Sequence, residues 1–91
     1  MITEKIKPAF ENETNCIVFS SDEAYIPLTT VAIQSIIDNR SKDHNYDIII
    51  LHDGVKEYLR KIVEDMAVYE NISIRFYDVR NIFNNIKNIL F

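Results

Sequence analysis

Two unbroken apolar runs, Cys16-Ile-Val-Phe19 and Ile48-Ile-Ile-Leu51, constrain this chain most. Neither alternates with polar residues, so each reads as a strand covered on both faces, the pattern of a parallel sheet. A parallel pair needs a long crossover, usually a helix, and the intervening residues supply one. Pro27 suits a first helical turn, while Leu28, Val31, Ala32, Ser35, Ile36 and Ile37 recur at helical spacing, so a helix is predicted from about Leu28 to Asn39. The polar stretch from Asn39 to Tyr46 reads as a connection. After the second run, Asp53-Gly54 turns the chain, and Val55, Tyr58, Leu59, Ile62, Val63 and Met66 fall on one face of a second helix. Ile72, Ile74 and Phe76 then alternate with Ser73, Arg75 and Tyr77, which predicts a third strand with one wetter face, nearer a sheet edge. The order βαβαβ with right-handed crossovers implies an α/β fold, a Rossmann-like and mostly parallel sheet.

A chain of 91 residues is one small domain or a piece of a larger one. Residues 1–14 are polar and contain Pro8, which marks them as an N-terminal segment loosely attached to a folded part spanning 15–91. With 10 basic and 14 acidic residues and no Lys/Arg run, the net charge of −4 argues against nonspecific nucleic-acid binding. No apolar segment approaches the ~20 residues that span a bilayer, and the first residues lack the apolar stretch of a signal peptide, which points to the cytoplasm. Cys16 has no partner cysteine and lies in an apolar run, so it reads as a buried, reduced packing residue. From Asn81 to Phe91 the chain carries Ile82, Phe83, Ile86, Ile89 and Leu90 at roughly helical spacing. An apolar stripe beside an open sheet edge implies either a homo-oligomer formed through this segment or a sheet continued by further strands.

A single glycine cannot build a Walker loop or a GxGxxG turn, so any bound diphosphate must be neutralised by a metal or by cationic side chains. No Cys/His cluster has zinc spacing, and two isolated histidines form no nucleophilic triad. The polar residues concentrate where the first apolar run ends: Ser20, Ser21, Asp22, Glu23 and Tyr25. Ligands of open α/β sheets sit beyond the carboxyl ends of the strands. There, a carboxylate beside an aromatic face suits a nucleobase, with Asp22 accepting an imide N–H and Tyr25 stacking on the ring. The same residues also suit a purely structural role, with Asp22 or Ser21 capping the next helix and Tyr25 packing on it. His52-Asp53-Gly54 could bring an imidazole to the same crevice or serve only as a turn with a capping carboxylate. Asp78 reads as a solvated turn residue or a cap for Arg80 to Phe83.

Taken together, Ile17-Val-Phe-Ser-Ser-Asp-Glu-Ala-Tyr25, Leu28-Thr-Thr-Val-Ala-Ile-Gln-Ser-Ile36, Ile48-Ile-Ile-Leu-His-Asp-Gly54 and Asn71-Ile-Ser-Ile-Arg-Phe-Tyr-Asp78 resemble the amino-terminal part of glycosyltransferase family 8. These are retaining enzymes of GT-A fold that transfer a hexose from a nucleotide donor. The resemblance implies an incomplete GT-A domain whose Ser20 lines the UDP-sugar site by its backbone, whose Asp22 receives the uracil imide and whose Tyr25 lies against the base. Ala24 stands where the family often has an Asn that touches the nucleotide. The family's Asp-x-Asp metal motif has no counterpart after Asp78. The resemblance therefore implies a divalent metal, Mn or Mg, only in a full-length enzyme, with an acceptor saccharide or glycoprotein, and no metal and no transfer by this chain alone.

Two other readings remain at this level. A receiver-like signalling module also opens with a strand and an acidic pair, Asp22-Glu23, and ends its third strand on an acid, Asp78. A non-catalytic interaction fragment that oligomerises would need no ligand at all.

Overall fold

The computed structural model describes residues 9–10 and 14–80. Strands β1 (Thr14–Ser20), β2 (Asn45–His52) and β3 (Ile72–Asp78) alternate with helices α1 (Ile26–Asp38) and α2 (Glu57–Glu64). The strands form one open parallel sheet in the order β1-β2-β3. The fold is α/β and Rossmann-like. Its register aligns Ile17 with Ile48 and Phe19 with Ile50, and those β2 residues with Ile74 and Phe76. Both helices cover the same face, because Ile26, Ile33 and Ile37 of α1 and Val63 of α2 share one core with Ile48, Ile50, Ile72 and Ile74. Two crossovers of one hand, progressing in one direction across the sheet, must place their helices so.

On the opposite face, Asp47 is buried and forms an ion pair with Arg75, Oδ2 to Nη2 at 2.7 Å and Oδ1 to Nε at 3.3 Å. Its Oδ2 also accepts the Ala9 amide at 3.3 Å. A buried carboxylate needs such partners, since desolvation otherwise exceeds the Coulombic gain.

The elements match the sequence reading better than the faces do. Cys16 is exposed rather than buried, and β1 is not covered on both faces. β1 is an edge among the described strands, and Cys16 and Val18 point away from the helices while Ile17 and Phe19 point towards them. In α1 the buried positions are Ile26, Thr29, Ile33 and Ile37, whereas Leu28 (66% exposed) and Val31 (69%) lie on the outer side. A rival apolar stripe two residues out of phase with the true one produced that mismatch. It was concealed because Thr29 is polar by type yet satisfied, its hydroxyl 3.1 Å from both the Tyr25 carbonyl and the Ser21 hydroxyl. Tyr58 and Ile62 of α2 are likewise exposed, leaving Val63 buried and Leu59 half-buried. Thr14 of β1 pairs with Asn45 of β2. The apolar segment 81–91 lies outside the described residues.

At the carboxyl end of β2 the chain turns through Gly54, whose φ of 115° is accessible mainly to glycine. His52 holds this turn: its Nδ1 accepts the amides of Gly54 and Val55, each at 3.1 Å. The expected Asp53 cap is absent. Instead, α2 receives Glu23 Oε1, which accepts the Lys56 amide at 3.0 Å from 33 residues away in sequence.

Two measurements test this packing. Ile33→Ala is expected to cost about 2–5 kcal/mol in denaturant unfolding, whereas Val31→Ala stays within about 0.5 kcal/mol; equal losses would restore the rival stripe as the core face. Burial lowers the His52 pKa from 6.5, against the opposing pull of Asp78. A proton on Nδ1 would also face two amide donors. The unfolded chain therefore binds that proton more readily, and the stability from neutral His52 is complete above about 6.5 and lost as pH falls below it. Thermal unfolding of the wild type should weaken from pH 7.5 to 5 more steeply than that of His52→Gln. At neutral pH that variant should be less stable by about 1–3 kcal/mol for its two orphaned amides.

Candidate functional site

Beyond the carboxyl ends of the three strands lies an open cleft of about 310 Å³, lined by Ser20, Ser21, Asp22, Tyr25, Leu51, His52, Asp53 and Val79. Each element delivers its part. β1 is prolonged by the Ser21 amide, which donates to the Leu51 carbonyl at 2.9 Å and holds Ser20 and Ser21 against the end of β2. The buried Ser21 hydroxyl donates to the Asp22 carbonyl at 3.0 Å and stands 3.1 Å from Thr29 Oγ1, tying the loop to α1. Asp22 is extended in backbone (φ −104°, ψ −178°) and begins a short 3-10 turn over Glu23–Tyr25.

Asp22 does cap this turn, its Oδ1 accepting the Tyr25 amide at 3.1 Å. That bond engages one oxygen, and the exposed carboxylate keeps capacity at the other. Tyr25 is 58% exposed, so its ring is a free flank of the cleft rather than a packed residue. Ser20, Asp22 and Tyr25 therefore border one cavity.

His52 also lines the cleft although it is only 4% exposed, with its ring edge-on to Phe76 at 5.6 Å between centroids. The sequence offered His52 as a crevice residue or a turn residue, and it is both. Facing it in register across β3 is Asp78. Arg80 grips that carboxylate through Nε at 3.1 and 3.2 Å and Nη2 at 2.7 Å, and its amide donates to Oδ1 at 2.9 Å. These bonds hold the Asp78 carboxyl down at about 2. The Arg80 guanidinium lies over Gly54, where a Cβ would stand 3.0 Å from Nη1.

The acids therefore diverge. Asp22 serves the 3-10 turn, Glu23 reaches α2 and Asp78 is in the grip of Arg80. A receiver-like module needs its acids to converge on one point beside a free phosphoacceptor, and that arrangement is not formed. Among the described residues no group of three or more His, Cys, Asp and Glu side chains could hold a metal ion, so the residues present do not fit the divalent metal implied for a whole enzyme. No helix of the described residues is long and apolar enough to cross a membrane. The bonds from Glu23 to Lys56 and between Thr29 and Ser21 were not legible from spacing, since the fold brings those residues together.

No protein-family model matches the chain, and no curated protein does. Among solved structures, the apo structure of the bifunctional glycosyltransferase WbbM is similar to it, with 29% sequence identity and a TM-score of 0.75. The match covers 81% of this chain and 13% of that one. This chain is thus similar, in sequence and in fold, to a part of a glycosyltransferase.

Proposed function

We propose that this chain is the nucleotide-facing, amino-terminal portion of a retaining glycosyltransferase of GT-A type that takes a hexose from a UDP-sugar. The observation that carries the reading is the coincidence of two independent facts. The chain is similar to part of a glycosyltransferase, and its cleft at the strand ends brings an exposed carboxylate and an exposed aromatic ring to one rim. In this reading the free Asp22 oxygen accepts the uracil imide N–H, a bond in which a charged acceptor is roughly twice as strong as a neutral one. The Tyr25 ring stacks on the base, a contribution of about 1–3 kcal/mol. Ser20 borders the donor through its backbone.

An acceptor saccharide or glycoprotein and a divalent ion belong to the whole enzyme. The 91 residues alone are expected to bind the nucleotide without transferring sugar, because no Asp-x-Asp triplet follows Asp78.

Asp22→Asn separates cap from ligand. An asparagine amide oxygen can still accept the Tyr25 amide, so the thermal midpoint should hold, while loss of the anionic acceptor should weaken UDP binding about tenfold in calorimetry. Tyr25→Ala, at an exposed position, should leave stability within about 0.5 kcal/mol and weaken UDP binding by roughly 5- to 100-fold. If both variants bind UDP as the wild type does, the rim is structural and the donor assignment fails.

A further inference from the structure

His52 is nearly fully buried, yet only half of its hydrogen-bonding capacity is used by the fold. Nδ1 accepts two turn amides, at 3.1 Å each, which assigns the proton of the neutral ring to Nε2. Among the described residues that nitrogen meets no protein acceptor, and none of their buried side-chain nitrogens or oxygens lacks a partner. Nε2 therefore opens onto the cleft that the side chain lines. Burial keeps the ring uncharged at neutral pH. Asp78, which could have drawn the ring into an ion pair, is instead held by Arg80.

The result is a donor of fixed tautomer and fixed direction. Its ring is wedged against Phe76, and the turn amides prevent rotation about the side-chain axis. Such a group loses little conformational freedom when a ligand arrives, which is how preorganisation raises affinity.

We propose that His52 is a ligand-binding residue of this cleft, donating its Nε2–H to an oxygen of the bound uridine nucleotide. The assignment rests on the nucleotide reading above and adds to it a contact from the second strand. The acceptor is either a carbonyl or hydroxyl oxygen of the nucleoside or a phosphoryl oxygen, chemically alike as acceptors and separable by choice of ligand.

Two substitutions divide the two nitrogens. In His52→Asn the side-chain oxygen can replace Nδ1 at the turn, but nothing reaches the place of Nε2. In His52→Gln the amide nitrogen can replace Nε2, while the turn loses its acceptor. Titrating the 91-residue chain with UDP and with uridine, His52→Asn should keep a near-wild-type thermal midpoint and lose roughly fivefold in affinity, the size expected for one neutral hydrogen bond. His52→Gln should have the lower midpoint and the smaller loss of affinity. Loss for both ligands assigns the oxygen to the nucleoside, and loss for UDP alone assigns it to a phosphate. A purely structural His52 gives the reverse order, with affinity following the midpoint, and that result, or unchanged binding by His52→Asn, overturns the assignment. Failure of the nucleotide reading has its own signature, a wild-type chain that binds neither ligand, and it takes the assignment down with it.

Discussion

The parallel pairing of β2 with a strand on each side is the constraint from which the rest follows. Ile48 and Ile50 are fully buried because they have strands to either side and helices above, and no other described strand has that surrounding. Parallel pairing forces two crossovers, the crossovers place α1 and α2 on one face, and the carboxyl ends of all three strands then open at one end of the sheet. The cleft is a geometric product of that arrangement. Its polar lining is what the chain happens to carry in the first residues after each strand.

Most of the architecture was legible because it depends on period and run length. The three strands, two helices and their order follow from patterns a few residues long, and none of them moved by more than a few positions. What was not legible was which side of each element is covered. For α1, a stripe through Leu28 and Val31 competes with one through Ile26, Ile33 and Ile37, and apolarity alone does not choose between them. The choice is made by Thr29, a polar residue that can be buried only because Tyr25 and Ser21 supply partners. Cys16 illustrates the same limit at the sheet: an unbroken apolar run is compatible with burial on both faces, but burial also requires something to cover the second face. Val18 is 57% exposed on that same side of β1, an edge among the described strands.

The candidate site was legible in composition and not in roles. Ser20, Asp22 and Tyr25 do border one cleft, as their position after an apolar strand implied. The competing assignments of Asp22, helix cap or ligand acceptor, turn out not to exclude one another. A cap occupies one lone pair of a carboxylate that has several, and the bond to the Tyr25 amide fixes the direction in which the remaining oxygen can be offered. Glu23, adjacent in sequence, contributes nothing to the cleft because its reach to Lys56 fastens α2 to the front of the molecule. Two neighbouring acids thus take opposite tasks, one facing the cavity and one stabilising its frame.

The scarcity of glycine gives this division its sense. Folds that hold phosphate on backbone amides spend glycines to bring the main chain close to the ligand. Here the single glycine is spent on the turn after β2, where the positive φ aims two amides inward at His52 rather than outward at a ligand. Backbone donors are consumed in orienting a side chain, and the side chain becomes the donor that the cleft presents. Arg80, folded over the same glycine and committed to Asp78, offsets part of that carboxylate's pull on the ring, and burial keeps the imidazole a neutral donor. The strand-end cleft is therefore lined by two acids, Asp22 and Asp53, and by the uncharged imidazole of His52. A ligand that presents an N–H donor and an oxygen acceptor on opposite sides of a flat ring matches an anionic acceptor at Asp22 and a neutral donor at His52.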